Sequence, residues 1–252
     1  MIKISNFVGD NDNISVIEQK GIFTVFQHDY DLSVVPQTAQ LKYYMGQCNC
    51  CPKQILVNLQ NNAIRLSPGA MQMVLGNIQQ TSGVTGAGDL LMKGLKSKVT
   101  GDSAIKPVYK GTGMLITEPT YYYPIIEDVS TWNGLVCDDG MFICCDDEIK
   151  DTIVKRTDIS GAVFGGEGLF NLCLKGQGHA VLKSRCPREE LYEIELQNDV
   201  IKIDGNNAVC WSSTLQFTVE KSGKSLLGSA ASGEGLVNVY RGTGKILVAP
   251  RT

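Results

Sequence analysis

Nine cysteines and two histidines are the side chains with which this 252-residue chain could do metal or nucleophilic chemistry. Cys48-Asn49-Cys50-Cys51 places three thiols within four positions, and Cys144-Cys145 places two more side by side. Thiolates presented this closely attract soft metals. Adjacent residues of a strand point to opposite faces, however, so Cys144 and Cys145 make poor co-ligands. The count is odd, and the chain is too long to need a disulfide framework, which favours reduced thiols. Metal binding at Cys48, Cys50 and Cys51 stays open on spacing alone. Buried small hydrophobes are the plainer reading, and no metal ligand is assigned.

The remaining chemistry is sparse. His28 and His179 stand apart, neither in a partner motif for general-base work, and His179, following Gly178 in a turn, reads as structural. Asp138-Asp139 and Asp146-Asp147-Glu148 flank the short apolar strand Met141 to Cys145. Hard cations favour clustered carboxylates, but the two groups sit at opposite strand ends, roughly 20 Å apart if extended, and read as solvated turns. Gly223-Lys224-Ser225 ends like a phosphate-binding loop, yet the required earlier glycine is Thr218. No Gly-x-Ser-x-Gly elbow occurs. Tyr121-Tyr122-Tyr123 could stack on bases or pack at a subunit contact, with strand alternation exposing either Tyr122 or its two neighbours. The segment Glu118 to Asp128 has no Lys or Arg, which favours an oligomer contact or a core role over nucleic acid. No catalytic residue and no cofactor is assigned.

The formal charge of −3 gives no global reason to bind nucleic acid or an anionic membrane. No stretch approaches the ~20 apolar residues needed to span a bilayer, and the opening residues carry no apolar core of signal-peptide length. A cytoplasmic location is the expectation. A hydrophobic content of 43% supplies a sizeable core.

The elements that must position these residues are strands, written twice. Val57 to Leu66 returns as Ile194 to Ile203, 137 positions on, and Tyr109-Lys110-Gly111-Thr112-Gly113 returns as Tyr240-Arg241-Gly242-Thr243-Gly244, 131 positions on. Near-equal shifts in one order mean an internal duplication. A finer echo at Gly46, Gly111, Gly176 and Gly242 suggests half-units, each with a glycine bend where a strand crosses between sheets. Apolar and polar residues alternate at period two in Ile64 to Ser67, Ile201 to Asp204 and Leu215 to Glu220, marking half-buried strands. Turn residues punctuate them at Ser67-Pro68-Gly69 and Asp204-Gly205-Asn206-Asn207. Many short strands with tight turns imply a sandwich or barrel. Helical signals are confined to Pro187 to Leu191 and Asp89 to Lys96, where single turns or short helices are expected. The fold class is all-β with few short helices, divided as residues 1–122 and 123–252.

Gly166-Glu167-Gly168-Leu169-Phe170, the later Gly233-Glu234-Gly235-Leu236-Val237 and Ser67-Pro68-Gly69-Ala70-Met71, in that arrangement, resemble the mitochondrial-biogenesis family named for altered inheritance of mitochondria. The first half departs from the pattern, with Gly101-Asp102-Ser103 before its Gly-Thr-Gly. The resemblance implies similarity in fold to the tryptophan RNA-binding attenuation protein (TRAP), hence two tandem TRAP-like domains of double-stranded β-helix or β-sandwich type, assembled as a homotrimer. It supplies no catalytic residue.

Three functional classes follow. A non-catalytic oligomeric scaffold comes first, because closed symmetry buries strand edges and no site chemistry competes. A small-molecule binding module comes second, since β-barrel interiors hold ligands. RNA binding rests on fold analogy alone, and an enzyme comes last.

Overall fold

The structure, a computed structural model, describes residues 2–82, 106–138, 140–155, 157–158, 170–221 and 236–250. The chain opens with a hairpin, β1 (Ile14–Lys20) and β2 (Phe23–His28), then helix α1 (Ala39–Gln47). Two long strands follow, β3 (Lys53–Leu66) and β4 (Met71–Thr81), then β5 (Val108–Thr117). Seven shorter strands come next: β6 (Tyr123–Asp128), β7 (Leu135–Cys137), β8 (Phe142–Asp146), β9 (Lys150–Lys155), β10 (Thr157–Asp158), β11 (Phe170–Lys175) and β12 (His179–Ser184). The chain closes with β13 (Tyr192–Asp204), β14 (Ala208–Ser212), β15 (Gln216–Lys221) and β16 (Leu236–Val248). The all-β class expected from alternation and turn spacing is what the chain adopts.

The strands form two sheets. The first runs β1-β2-β3-β8-β12-β6, with β5 on the remaining length of β3 and β4 outside β5. The second runs β10-β15-β16-β14-β7-β11-β9, with β13 also on β16. Strands on both sides of residue 122 share the first sheet, because β6, β8 and β12 join it while β7, β9 and β11 go to the second.

The duplication is visible in three dimensions, and it explains why two separate segments repeat. The two echoed segments of each repeat pair with each other. β3 lies antiparallel to β5 with Ile64 opposite Tyr109 and Leu59 opposite Gly113. β13 lies antiparallel to β16 with Ile201 opposite Tyr240 and Leu196 opposite Gly244. Each pair carries a bulge at the same place, where Asn61 and Asn198 adopt left-handed φ of 59° and 54°. The threonine of each Gly-Thr-Gly holds its bulge, because Thr112 Oγ1 accepts from the Asn61 N–H at 3.1 Å and Thr243 Oγ1 accepts from the Asn198 N–H at 2.9 Å. Asparagine tolerates this backbone region and a β-branched residue does not. Asn198→Gly is therefore expected to change stability by less than about 0.5 kcal/mol and Asn198→Val to cost about 2 kcal/mol. Urea unfolding of the two variants checks this, and a valine as well tolerated as glycine would refute the constraint.

The half-unit echo holds at three of its four glycines. Gly111 and Gly242 lie at the bulges and Gly176 in the turn between β11 and β12, all at positive φ. Gly46 does not belong with them, because it lies inside α1. The run from Ala39 to Met45 is made of good helix formers, and local propensity overrides the sequence likeness to a bend. Of the expected helical turns, Arg188–Glu190 forms a single 3-10 turn entered through Pro187. Asp89 to Lys96, Gly101-Asp102-Ser103, Gly166 to Leu169, Gly223-Lys224-Ser225 and Gly233-Glu234-Gly235 lie outside the described residues.

Three cores result. One lies beneath the first repeat (Phe23, Ile55, Val57, Ile64, Leu115, Cys144, Val181) and one beneath the second (Trp211, Phe217, Tyr240, Ile246). Trp211 and Phe217 both stack against Tyr240, with ring centroids 5.1 and 5.0 Å away. The third core joins the sheets, drawing Ile125, Phe142, Cys145 and Leu182 from one and Leu135, Leu174, Cys210 and Leu247 from the other around Trp132. Strands β6, β8 and β12 are thus covered on both faces. Their sequences are correspondingly unbroken apolar runs, such as Phe142-Ile143-Cys144-Cys145, rather than alternating ones.

Candidate functional site

Helix α1 and the strand start that follows it gather most of the side chains singled out in sequence. Every residue of α1 is at least partly exposed. Beside it lies a cleft of about 350 Å³ lined by Tyr30, Asp31, Lys42, Cys50, Cys51 and Tyr121, among others. Lys42 bridges the cleft's two sides. Its Nζ lies 2.6 Å from Asp31 Oδ2 and donates to the Tyr121 hydroxyl at 3.0 Å. That ammonium, with the Ser33 N–H, holds the Asp31 carboxyl below the ordinary range.

The tyrosine run corrects the alternation argument. Tyr121 and Tyr122 are both exposed, because they form a turn and β6 begins only at Tyr123. The structure also brings them cations from distant sequence. Lys42 reaches Tyr121, Lys53 Nζ lies 4.0 Å from the centroid of the Tyr123 ring, and Arg185 lines an open cleft with Tyr121 and Tyr122. Partners separated by more than 60 residues leave no trace in a local window.

The cysteines divide by burial. Cys48 and Cys50 are exposed, and the other seven are buried. All nine are free. Cys51 Sγ lies 3.3 Å from the Asp29 carbonyl, to which it donates, and burial pushes its thiol pKa up. Cys144 and Cys145 face different cores, as adjacent strand residues must. Burial raises both, Cys145 to about 12 despite the neighbouring Arg65. Among the described residues no three His, Cys, Asp or Glu side chains converge as metal ligands. Because the thiolate is the reactive form, iodoacetamide is expected to alkylate Cys48 and Cys50 in the native protein and the other seven only on unfolding. Peptide mass mapping reads the result, and rapid native labelling of Cys144 or Cys210 would contradict the packing.

His28 and His179 are far apart in role as well as sequence. His28 Nε2 lies 2.8 Å from Gln54 Oε1 at the end of β2. The backbone N–H of His179 donates to Asp146 Oδ2 at 2.7 Å, and its imidazole Nδ1 is 3.9 Å from the same oxygen. Asp147 pairs instead with Arg65, so neighbouring carboxylates serve different partners. Asp138 sits beyond the other end of β8, and Asp139 lies outside the described residues.

The charged groups with the most unusual surroundings were not marked in sequence. Glu127, 6% exposed, accepts from Trp132 Nε1 at 3.2 Å and from Arg188 Nε at 3.0 Å. Burial still raises its pKa. Arg188 also donates to Glu193 Oε2 at 2.5 Å, tying β6 of one sheet to β13 of the other. Lys53, at the head of β3, is 1% exposed and donates to the Cys51 carbonyl at 2.9 Å. Burial lowers its pKa. It lines a second cleft of about 350 Å³ with Ile17, Glu18, Tyr123, Pro124 and Pro187 to Glu189. The one sequence signal for such a lysine is its place two positions before the apolar run Ile55-Leu56-Val57.

Comparison with known proteins places this architecture. The model of the mitochondrial biogenesis AIM24 family matches residues 49–251. The chain belongs to the AIM24 family. An uncharacterised protein of Streptococcus pyogenes serotype M6 is 26% identical over 193 residues, covering 74% of this chain and 76% of the relative. A crystal structure of another Streptococcus pyogenes protein superposes with a TM-score of 0.60 at 20% identity, covering 95% of this chain and 94% of that one. At that identity the likeness is one of fold. The AIM24 match starts within the cysteine segment, at Asn49, so the β1–β2 hairpin and α1 precede the matched region. No helix among the described residues is long and apolar enough to cross a membrane.

Proposed function

We propose that this AIM24 family member works without catalysis, as an oligomeric scaffold built on two TRAP-like repeats. The observation that carries the reading is the open edge of β13. Its counterpart β3 is paired on one side by β5 and on the other by β2 and β8. β13 is paired by β16 on one side and by no strand among the described residues on the other, along thirteen residues. An open edge of that length is a template for another strand, and symmetric assembly is the usual way to close it. Exposed Leu32, Leu41, Tyr43 and Tyr44 around α1 and exposed Tyr192 and Val200 on β13 support the same reading. A homotrimer is the assembly that the family resemblance implies.

Sedimentation equilibrium of the full chain tests this. A trimer at micromolar concentration is expected, and a monomer there would overturn it. A second reading, a small-molecule binding module, is favoured by one observation, the cleft beside the buried Lys53.

A further inference from the structure

Among the described residues three charged side chains are buried, and two of them have a partner of opposite charge. Lys106, 8% exposed, has Asp151 Oδ2 at 4.0 Å, and Glu127 has Arg188 and the Trp132 N–H. Lys53 is more deeply buried than either, and no carboxylate among the described residues pairs with it. Its ammonium carries three donors, and the protein offers one carbonyl, that of Cys51, and the face of Tyr123. A desolvated ammonium without a counter-charge is costly, and cation–π contact offsets only part of that cost. The arrangement lacks an anion.

The cleft that Lys53 lines restricts which anion fits. Ile17, Pro124, Pro187 and the Tyr123 ring give it apolar walls. Arg188 is engaged by Glu127 and Glu193, so Lys53 is the cation left to a ligand. Glu18, which pairs with Lys20 at 2.7 Å and accepts from the Ile126 N–H at 3.0 Å, and Glu189 add two carboxylates to the lining. Two negative charges repel a phosphate dianion and tolerate a single negative charge on an apolar body.

We propose that Lys53 anchors the carboxylate of a small monocarboxylic acid whose apolar body packs between Ile17, Pro124 and Pro187. The ligand oxygen accepts from Nζ, supplying the counter-charge the protein withholds, and Tyr123 stays over the ammonium as the adjoining wall. Binding is reversible and breaks no covalent bond. The inference rests on the binding-module reading and is independent of assembly.

Benzoate is the probe, titrated into full-length protein with isotope-labelled lysine while the Lys53 ε-methylene resonance is followed. A saturable shift with a dissociation constant of roughly 0.1–1 mM is expected, the scale for a ligand of this size. Benzyl alcohol, its neutral analogue, and inorganic phosphate are expected to bind at least about tenfold more weakly. Lys53→Met, which keeps the stem and removes the charge, is expected to lose at least about tenfold in benzoate affinity. Equal binding of benzoate and benzyl alcohol, unchanged affinity in Lys53→Met, or no saturable shift in the native protein would each overturn the proposal. The first and last of these need no variant to fold. Sedimentation of the same samples separates the readings: a trimer that ignores benzoate sinks this inference alone, and a monomer that binds it sinks the scaffold alone.

Discussion

Gly113→Ala is expected to destabilise the protein by about 4 kcal/mol, and Gly242→Ala by about 2 kcal/mol, although both glycines belong to the repeated Gly-Thr-Gly motif. The difference lies in what each backbone meets. A Cβ on Gly113 would stand 2.0 Å from the Leu75 carbonyl oxygen, because β4 passes directly against β5 there, with Gly76 opposite Gly113. Backbone on both sides leaves nothing to rotate aside, so the β4–β5 ladder must open. A Cβ on Gly242 would meet the Thr214 oxygen at 3.3 Å, a contact that a shift of a few tenths of an ångström relieves. What remains there is the cost of placing a side chain at φ +124°. Urea denaturation of both variants decides it. Equal losses would mean that the motif is kept for backbone conformation alone and not for close approach.

Arg188→Met is expected to cost about 2–3 kcal/mol at pH 7 and less as the pH falls. Removing the guanidinium leaves the buried Glu127 carboxylate with the Trp132 N–H and the more distant Lys20 charge among the described residues. The one-third exposure of the Arg188 side chain keeps the estimate at the lower end of the range for a broken buried pair. Glu127 has its folded-state pKa raised above the ordinary 4.5 by burial, so its ionised form is disfavoured in the fold and protonation relieves the penalty as pH falls through that raised value. Glu193 works in the opposite sense. Arg188 holds its pKa below 4.5, a contribution present above 4.5 and lost as pH falls through the lowered value. Loss of Arg188 therefore removes two ion pairs, with Glu127 and with Glu193, and acid weakens both in the native protein too by protonating the carboxylates. The gap between variant and native protein should narrow below neutral pH. Adding Glu127→Gln to Arg188→Met should recover part of the loss at pH 7, which thermal unfolding across pH would register. A gap that widens in acid would rule out Glu127 as its source.

What the sequence revealed and what it hid follow from the reach of each signal. Strand alternation and turn residues act over a few positions, so Ile64 to Ser67 and the turns at Gly69 and Gly205 were readable directly. The duplication was readable because Gly-Thr-Gly and its partner strand are kept as a pair, yet the pairing itself was not, since Leu59 and Gly113 are joined only by folding. Helix α1 is not legible from the Gly46 echo, because a glycine likeness carries no information on the residues Ala39 to Met45 that form the helix. The joint exposure of Tyr121 and Tyr122 is not legible from alternation, because the strand begins only at Tyr123. Lys53 was invisible as a buried charge, since solubility statistics for lysine point outward and the walls that enclose it come from β1, β6 and the turn at Pro187.

The placement of β8 has a mechanical corollary. Its residues are shared, Cys144 serving one core and Cys145 another, and β12 beside it and β6 beyond β12 do the same. A strand that two cores own cannot leave one of them alone. The repeats are therefore interlocked rather than merely adjacent: heat or denaturant has no seam at which to divide them, and a disturbance that loosens β8 reaches both ends of the molecule at once.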